Sequence, residues 1–243
     1  MTHPFPLKQL RFFLTAPAPC PYLPGKMERK LFTHMHVLDG PELNDSLTQA
    51  GFRRSQNIIY RPACEHCSAC RSVRIQAPAF RPNRTQRRIH RKNSGLVRTI
   101  TPALASDEHY ALLLRYIRAR HPEGGMEDMS YADYLSMIED TAARSQVSEY
   151  RDKNGKLLGA ALVDLLSDGP SMVYSFFEPA AAARSLGVYM ILDHVDQAVQ
   201  CNLPYVYLGF WVQDSDKMRY KAQYKPLEVL RPDGWEILEQ DTA

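Results

Sequence analysis

The residues from Tyr174 to Tyr189, YSFFEPAAAARSLGVY, combine a bend, a small residue and a cation in an order that suits anion binding. A β-rich aromatic run ends at Glu178-Pro179, because proline removes a ladder donor and stops regular pairing. The apolar spacing after Gly187 predicts a helix, and the first N–H groups and dipole of a helix favour negative charge. Gly187 also lets the backbone approach a ligand closely, and Arg184 adds a cation. The segment predicts the anion-binding loop of an acyl-transfer site, and an ordinary turn before a core helix fits it equally well.

Four of the five cysteines have a spacing that suits metal binding. Cys64, Cys67 and Cys70 form a C-x-x-C-x-x-C run, and Cys20, which precedes a proline, could complete a set of four thiolates. Zinc or an iron-sulfur cluster fits such a set. Reduced thiols packed between domains are the alternative, and a disulfide scaffold is disfavoured in a chain of this length with so few cysteines.

Basic residues are concentrated in the first part of the chain. Residues 1–95 contain 16 Lys/Arg and 5 Asp/Glu, a net charge of +11, whereas residues 96–243 contain 14 and 22, a net charge of −8. The densest cluster includes Arg84, Arg87, Arg88 and Arg91. Guanidinium groups donate to phosphates in a fork, so the cluster predicts contact with an RNA backbone. The alternative is that the cluster is a solvent-exposed basic face without a ligand.

The elements that would position these residues are easiest to predict after residue 95. The predicted strands are 96–101, 146–151, 156–166, 172–177, 205–212, 227–230 and 235–238, and the predicted helices are 107–121, one starting at 130, 186–200 and 215–224. Before residue 75 the sequence predicts irregular, proline-rich structure with strand-like runs at 9–14, 58–61 and 72–75, followed by the basic segment as a bridge. We expect an α+β protein that is cytoplasmic and has no membrane segment, because no run of 18 apolar residues is present.

The predicted order after residue 95, β-α-α-β-β-β-α-β-α-β-β, is that of a GNAT-like acyltransferase. In that arrangement the strand before the long helix separates from the next strand, and the acyl donor enters between them. The sequence Arg184-Ser185-Leu186-Gly187-Val188 fits the usual coenzyme A loop, but Tyr189 stands where a small residue is expected. Together with the basic first part, this departure favours the 3′ end of a tRNA as the anionic part of the donor.

The chain resembles the arginyl-tRNA-protein transferase family, and within it the bacterial aspartate/glutamate leucyltransferase branch. The resemblance is carried by FFLTAPAPCPYLPG, YRPACEHCSACRSVRI, RTQRRIHRKN, YSFFEP, RSLGVY and YVYLGFWVQDSDKMRYKAQYKPLEVL. It implies transfer of leucine from Leu-tRNA to the α-amine of proteins that begin with Asp or Glu, which marks them for N-degron degradation. It also implies a basic, cysteine-containing domain of residues 1–94 and a GNAT-like aminoacyl-transfer domain of residues 95–243. The chemistry needs no cofactor, because an aminoacyl ester is already activated and positioning can supply most of the acceleration.

Within that reaction we assign the candidate residues by chemistry. A backbone N–H near residues 176–178 would stabilise the oxyanion, with Tyr174 or Tyr207 in support, and Glu178 would orient or deprotonate the amine. The predicted contacts to the acceptor carboxylate are Lys217, Arg219 and Lys221, and those to tRNA are Arg184, Gly187, Arg84, Arg87, Arg88 and Arg91. Exposed helix cations and an ordinary Glu-Pro bend explain the same residues without function. Arginyl transfer, a coenzyme A-dependent N-acetyltransferase and a non-catalytic RNA-binding module are the alternative functions.

Overall fold

A mixed β-sheet with helices on both faces forms the centre of the protein. The computed structural model describes residues 10–36, 39–120 and 128–239. The strands are β1 Phe13–Leu14, β2 Ala18–Pro19, β3 Met27–Glu28, β4 Lys30–His34, β5 Arg53–Ser55, β6 Ile58–Pro62, β7 Arg71–Gln76, β8 Val97–Pro102, β9 Ser145–Arg151, β10 Leu157–Leu166, β11 Gly169–Phe177, β12 Tyr205–Trp211, β13 Leu227–Arg231 and β14 Gly234–Ile237. The α-helices are α1 Gly40–Gln49, α2 Arg84–Asn93, α3 Asp107–Arg120, α4 Tyr131–Glu139 and α5 Leu186–Gln200, and 3-10 helices cover Pro179–Arg184 and Arg219–Gln223.

The large sheet has the strand order β14-β13-β7-β12-β11-β10-β9-β8. Strands β11 and β12 run parallel and share register at one position, Ser171 opposite Tyr207, so the residues that follow on each strand are not paired with each other. The remaining neighbours in this sheet are antiparallel. A smaller sheet has the order β1-β4-β6-β5, and β2 pairs with β3.

The two faces of the large sheet carry separate hydrophobic clusters. Along β10, Ala161 and Val163 belong to the cluster that includes α5, whereas Ala160 and Leu162 belong to the cluster under α3 and α4. Successive side chains of a strand point to opposite faces, so α5 covers one face and α3 and α4 cover the other. A third, small cluster around Met35 lies between α1 and the smaller sheet.

From residue 95 onward the predicted order of elements is confirmed, with a 3-10 helix at Arg219–Gln223 as the last helix. Helix α5 has the predicted bounds, and α4 begins after the predicted capping box of Ser130 and Asp133. The fold is mixed α/β. Residue 9 of the first predicted run and residue 121 of the first predicted helix lie outside the described residues.

Two helices were not predicted. The prediction of irregular structure before residue 75 is wrong for α1, and the basic segment described as a bridge is α2. Both helices bury polar side chains: Asn44, Asp45 and Thr48 in α1, and Gln86 and Asn93 in α2. A search for apolar periodicity does not find such faces, because the buried positions are filled by groups that hydrogen-bond.

The pairing of strand β7 crosses the domain boundary predicted at residue 94. It precedes that boundary, yet it pairs with β12 on one side and β13 on the other. The central sheet therefore contains strands from both sides of residue 94. No helix of the described ranges is long and apolar enough to cross a membrane.

Candidate active site

An arginine side chain occupies the gap between β11 and β12. Arg53, on strand β5 of the smaller sheet, donates from Nη2 to the carbonyl oxygen of Val173 and from Nη1 to that of Leu208 at 3.4 Å. Gly209 makes room for it, because a Cβ atom at this position would lie 2.8 Å from Cζ of Arg53. The guanidinium thus bridges the two strands beyond the point where their pairing ends.

Lys221 places an amino group beside this gap, next to the guanidinium of Arg53. It is 5% exposed, and its Nζ donates to the carbonyl oxygen of Phe210 at 2.5 Å. Burial and the positive charge of Arg53 hold the pKa of Lys221 well below its ordinary value. The other two residues predicted to bind the acceptor, Lys217 and Arg219, are exposed, and Arg219 pairs with Asp216 at 3.0 Å. Of the three, Lys221 is the one that the structure brings to the gap.

Tyrosine side chains surround the same region. Burial, reinforced by neighbouring Tyr116, raises the pKa of Tyr174 on β11 to about 12. Tyr116 comes from α3, and its ring packs edge-on against Phe177 with centroids 4.9 Å apart. Tyr220 is 43% exposed as a whole residue, but desolvation of its hydroxyl raises its pKa, and it interacts with both Arg53 and Tyr116. The hydroxyl groups therefore stay protonated near neutral pH and can donate hydrogen bonds to a ligand.

Glu178 is held by groups of the protein itself. Its carboxylate accepts from Nε and Nη2 of Arg115 at 3.2 and 3.1 Å and from the N–H of Ala180 at 3.3 Å. Its own N–H, one of the predicted oxyanion donors, bonds to the carbonyl oxygen of Leu158 at 2.9 Å. Glu178 caps the 3-10 helix and fixes α3 to the end of β11, which is a positioning role.

Tyr207 belongs to a closed network at the paired end of β11 and β12, away from the gap. Its hydroxyl donates to Oδ2 of Asp168 at 2.8 Å and accepts from Nη1 of Arg74 at 2.9 Å. Arg74 also pairs with Glu228 at 2.6 Å, and its guanidinium lies over the rings of Tyr205 and Trp235. The structure therefore does not bring Tyr207 together with Tyr174.

Two of the segments predicted to bind tRNA, α2 and the loop before α5, are in contact. Asn93, at the end of α2, donates to the carbonyl oxygen of Arg184 at 2.9 Å and accepts from Nε of Arg184 at 3.0 Å. Lys92 donates to the carbonyl oxygen of Ala183 at 2.6 Å. The exposed arginines of α2 are Arg84, Arg87, Arg88 and Arg91. The basic helix and the loop before α5 are thus joined, as an extended polyanion would require.

Gly187 has a packing role at this loop. A Cβ atom there would lie 3.1 Å from Cε1 of Phe177, so the absence of a side chain lets the first turn of α5 approach β11. Tyr189, which stands at the expected small position, turns inward, and its ring lies 5.8 Å from that of Tyr150 and 5.9 Å from that of His90.

The four cysteines of the predicted metal site line one cavity. This cavity has a volume of about 320 Å³, and Cys20, Cys64, Cys67 and Cys70 share its wall with Phe210 and Tyr60. Burial and the other three cysteines raise the pKa of the Cys70 thiol to about 12. In the part of the chain that the structure describes, no group of three or more metal-ligating side chains is arranged to hold an ion. Four thiols on one cavity wall are donors that suit a thiophilic metal.

No local sequence pattern predicted Arg53, Tyr116 or Tyr220 as site residues. Gly209, the glycine of YVYLGFWV, did indicate that some group approaches β12 closely, because glycine within a buried strand often marks such an approach. The group itself could not be named, since it lies 155 residues earlier in the chain than its partner Leu208.

Comparison with known families accounts for most of the chain. A family model described as "Arginine-tRNA-protein transferase, N terminus" matches residues 18–88, and one described as "Arginine-tRNA-protein transferase, C terminus" matches residues 108–231. The chain belongs to the arginine-tRNA-protein transferase family. The resemblance inferred from the sequence is therefore confirmed, and the gap between β11 and β12 is the candidate active site of a member of this family.

Relatives of this transferase match over nearly their whole length. A Caulobacter vibrioides protein named "Aspartate/glutamate leucyltransferase" is 55% identical over 243 residues, covering 98% of this chain and 87% of the relative. A protein of the same name from Maricaulis maris is 56% identical over 236 residues, covering 97% of this chain and 93% of the relative. Among solved structures, L-PGS from Bacillus licheniformis has a TM-score of 0.47 and 8% identity, covering 59% of this chain and 46% of that one.

Proposed function

We propose that the protein is an aminoacyltransferase that moves leucine from Leu-tRNA to the N-terminal α-amine of proteins beginning with Asp or Glu, which marks them for N-degron degradation. The observation that carries this proposal is the match to relatives named aspartate/glutamate leucyltransferase, 55 and 56% identical over nearly their full length. The division into a basic, cysteine-containing domain of residues 1–94 and a GNAT-like aminoacyl-transfer domain of residues 95–243 is part of the proposal.

The separated ends of β11 and β12 are where we place the reacting ester. The hydroxyls of Tyr174 and Tyr220 flank the gap and are the donors that we assign to the ester carbonyl, while the guanidinium of Arg53 bridges the two strands. The α-amine nitrogen attacks the ester carbonyl, the carbon-oxygen bond to the terminal ribose breaks, and the ribose oxygen leaves with the proton that the amine gives up by way of Lys221. Hydrogen-bond donors at the carbonyl stabilise the charge that develops on its oxygen.

The attacking amine must also lose a proton, and Lys221 is the group suited to take it. The sequence suggested a charged contact to the acceptor carboxylate, but a lowered pKa makes Lys221 a neutral amine over more of the physiological range than an ordinary lysine. A neutral amine accepts a proton where an ammonium group cannot. Lys217 and Arg219, which are exposed, would guide the acidic acceptor toward the gap.

The tRNA would lie along α2 and the loop before α5. The hydrogen bonds between Asn93 and Arg184 hold these two regions at a fixed spacing. Arg84, Arg88 and Arg91 have no hydrogen bond or ion pair from their side chains to the described part of the chain, so their donors are available to phosphates.

The test compares two tRNAs, one charged with labelled leucine and one with labelled arginine, on a peptide that begins with Glu. Transfer of leucine that is abolished by ribonuclease is the expected result. Transfer of arginine alone would establish the alternative donor. Acetylation of the peptide from acetyl-coenzyme A, insensitive to ribonuclease, would overturn the proposal.

Zinc or an iron-sulfur cluster on the four cysteines stays a prediction. No step of the transfer depends on it. Elemental analysis and a visible spectrum of protein purified without oxygen decide the question, and Cys64→Ser would have to lower the bound metal if this site holds it.

A further inference from the structure

Neither Arg53 nor Lys221 has an acidic partner among the described residues. The guanidinium of Arg53 bonds to two backbone carbonyls, and the amine of Lys221 bonds to one. By contrast, Arg54, the next residue along the chain, forms a two-bond pair with Asp164, both bonds at 2.7 Å. Buried or half-buried cations in proteins are normally paired with an anion. The contrast indicates that the partner of Arg53 comes from a ligand.

The free donors of Arg53 define the chemistry of that ligand. A guanidinium has five N–H groups, and the carbonyls of Val173 and Leu208 take one from each terminal nitrogen. The remaining donors form the fork that matches the two oxygens of a carboxylate. Because the backbone bonds hold the group in place, this fork is fixed before the ligand arrives.

We propose that Arg53 recognises the side-chain carboxylate of the first residue of the acceptor protein. This inference rests on the proposed leucyl transfer to Asp and Glu. The carboxylate of those residues lies a few bonds from the reacting α-amine, so a cation at the gap holds the side chain while the amine faces the ester. The acceptor specificity would then be supplied by the smaller sheet, through β5.

The exposed cations nearby are weaker candidates for this role. Lys217 and Arg219 face solvent, where water and salt screen a charge contact, and Arg219 already pairs with Asp216. Discrimination between a carboxylate and the corresponding amide needs a desolvated, hydrogen-bonding charge. Arg53 is half-buried and meets that need.

The experiment measures transfer of leucine to four peptides that differ only in the first residue: Asp, Glu, Asn or Gln. The wild-type protein is compared with Arg53→Gln, whose amide keeps a donor for the strand carbonyls but removes the charge, and with Arg53→Lys, which keeps the charge. The expected result for Arg53→Gln is a loss of at least about 30-fold in kcat/KM for the acidic peptides, with little change for the amide peptides. Arg53→Lys should keep the preference for acidic peptides in part.

An equal fall in kcat/KM for all four peptides would overturn the proposal, because that result is expected if Arg53 only holds β11 and β12 in place. Arg61→Gln is the matched control: Arg61 lies on the neighbouring strand β6, is exposed and packs over Phe52, so the ratio between peptides should stay at the wild-type value. If Arg53→Gln turns over no peptide, calorimetric binding of the same peptides without tRNA gives the ratio instead. Absence of leucine transfer by the wild-type protein would refute the proposed function itself, whereas transfer with an unchanged ratio in Arg53→Gln would refute only the role of Arg53.

Discussion

Replacing Gly209 with alanine should separate the strands from the arginine that bridges them. Gly209 has φ of +70°, and the added methyl group would collide with the guanidinium of Arg53. The left-handed backbone conformation alone costs a residue with a side chain about 1–2 kcal/mol. Displacing the guanidinium loses its bond to the carbonyl of Val173, worth about 1.5–3 kcal/mol for a charged donor. Because the second bond, to Leu208, is long at 3.4 Å, we count only one, and the expected loss of stability is about 2.5–5 kcal/mol.

Urea denaturation followed by far-UV circular dichroism measures this loss. The matched control is Gly155→Ala, in the hairpin between β9 and β10. Gly155 has φ of +82°, but a Cβ atom there would meet nothing within 4 Å. This control should therefore lose only the backbone contribution of about 1–2 kcal/mol. The difference between the two variants is the contribution of the displaced arginine.

A double-mutant cycle provides the decisive comparison. In an Arg53→Ala background the space beside Gly209 is empty, so Gly209→Ala should lose no more stability than Gly155→Ala. The same loss in both backgrounds would refute the assignment of Arg53 to the gap. Leucine transfer by Gly209→Ala should fall in parallel, because the bridge between β11 and β12 is disturbed.

Three further predictions concern single side chains. Lys221→Met should be more stable than wild type at pH 7 and should show a flatter pH dependence in thermal melts between pH 7 and 10. The lowered pKa of Lys221 means that the unfolded chain binds more protons, so the stability of the wild type falls as the pH drops from about 10.4 toward the folded pKa. Equal slopes for the two proteins would show that Lys221 is not desolvated. Asp164→Ala should lose about 3–5 kcal/mol in urea denaturation, because it leaves the buried Arg54 without its partner; a loss below about 1 kcal/mol contradicts that pairing. Arg88→Ala should reduce the salt dependence of tRNA binding by about one unit of slope, measured by filter binding from low to high salt, while Lys153→Ala leaves it unchanged.

The sequence predicted those parts of the fold whose order depends on local patterns. The hairpin turn Lys153-Asn154-Gly155 and the buried strand β12 carry turn and apolar signals that need no distant partner. Helices α1 and α2 were missed because their buried faces contain Asn44 and Gln86, whose side-chain amides donate to Asp164 and to the carbonyl oxygen of Gln223, far along the chain.

The candidate site was predictable only in part, for the same physical reason. Tyr174 and Lys221 lie on elements whose place near the donor loop follows from the order of elements. Arg53 reaches the gap from 120 residues before Val173, and no local pattern reports a contact of that range. Glu178 lies at the end of β11 and Tyr207 lies at the paired end of β11 and β12. Their partners Arg115 and Arg74 give them positioning roles.

Strand β7 has a consequence for how the chain is made. Its partner residues follow it at long range, since Ile75 pairs with Val206, about 130 residues later, and with Leu227. During synthesis both edges of β7 stay unpaired until nearly the whole chain has left the ribosome. Pairings of this range fold slowly, and unpaired edges invite association with other chains. Production of the protein should therefore depend on temperature and on chaperones more than its ordinary composition suggests, and a fragment that ends before β12 should aggregate.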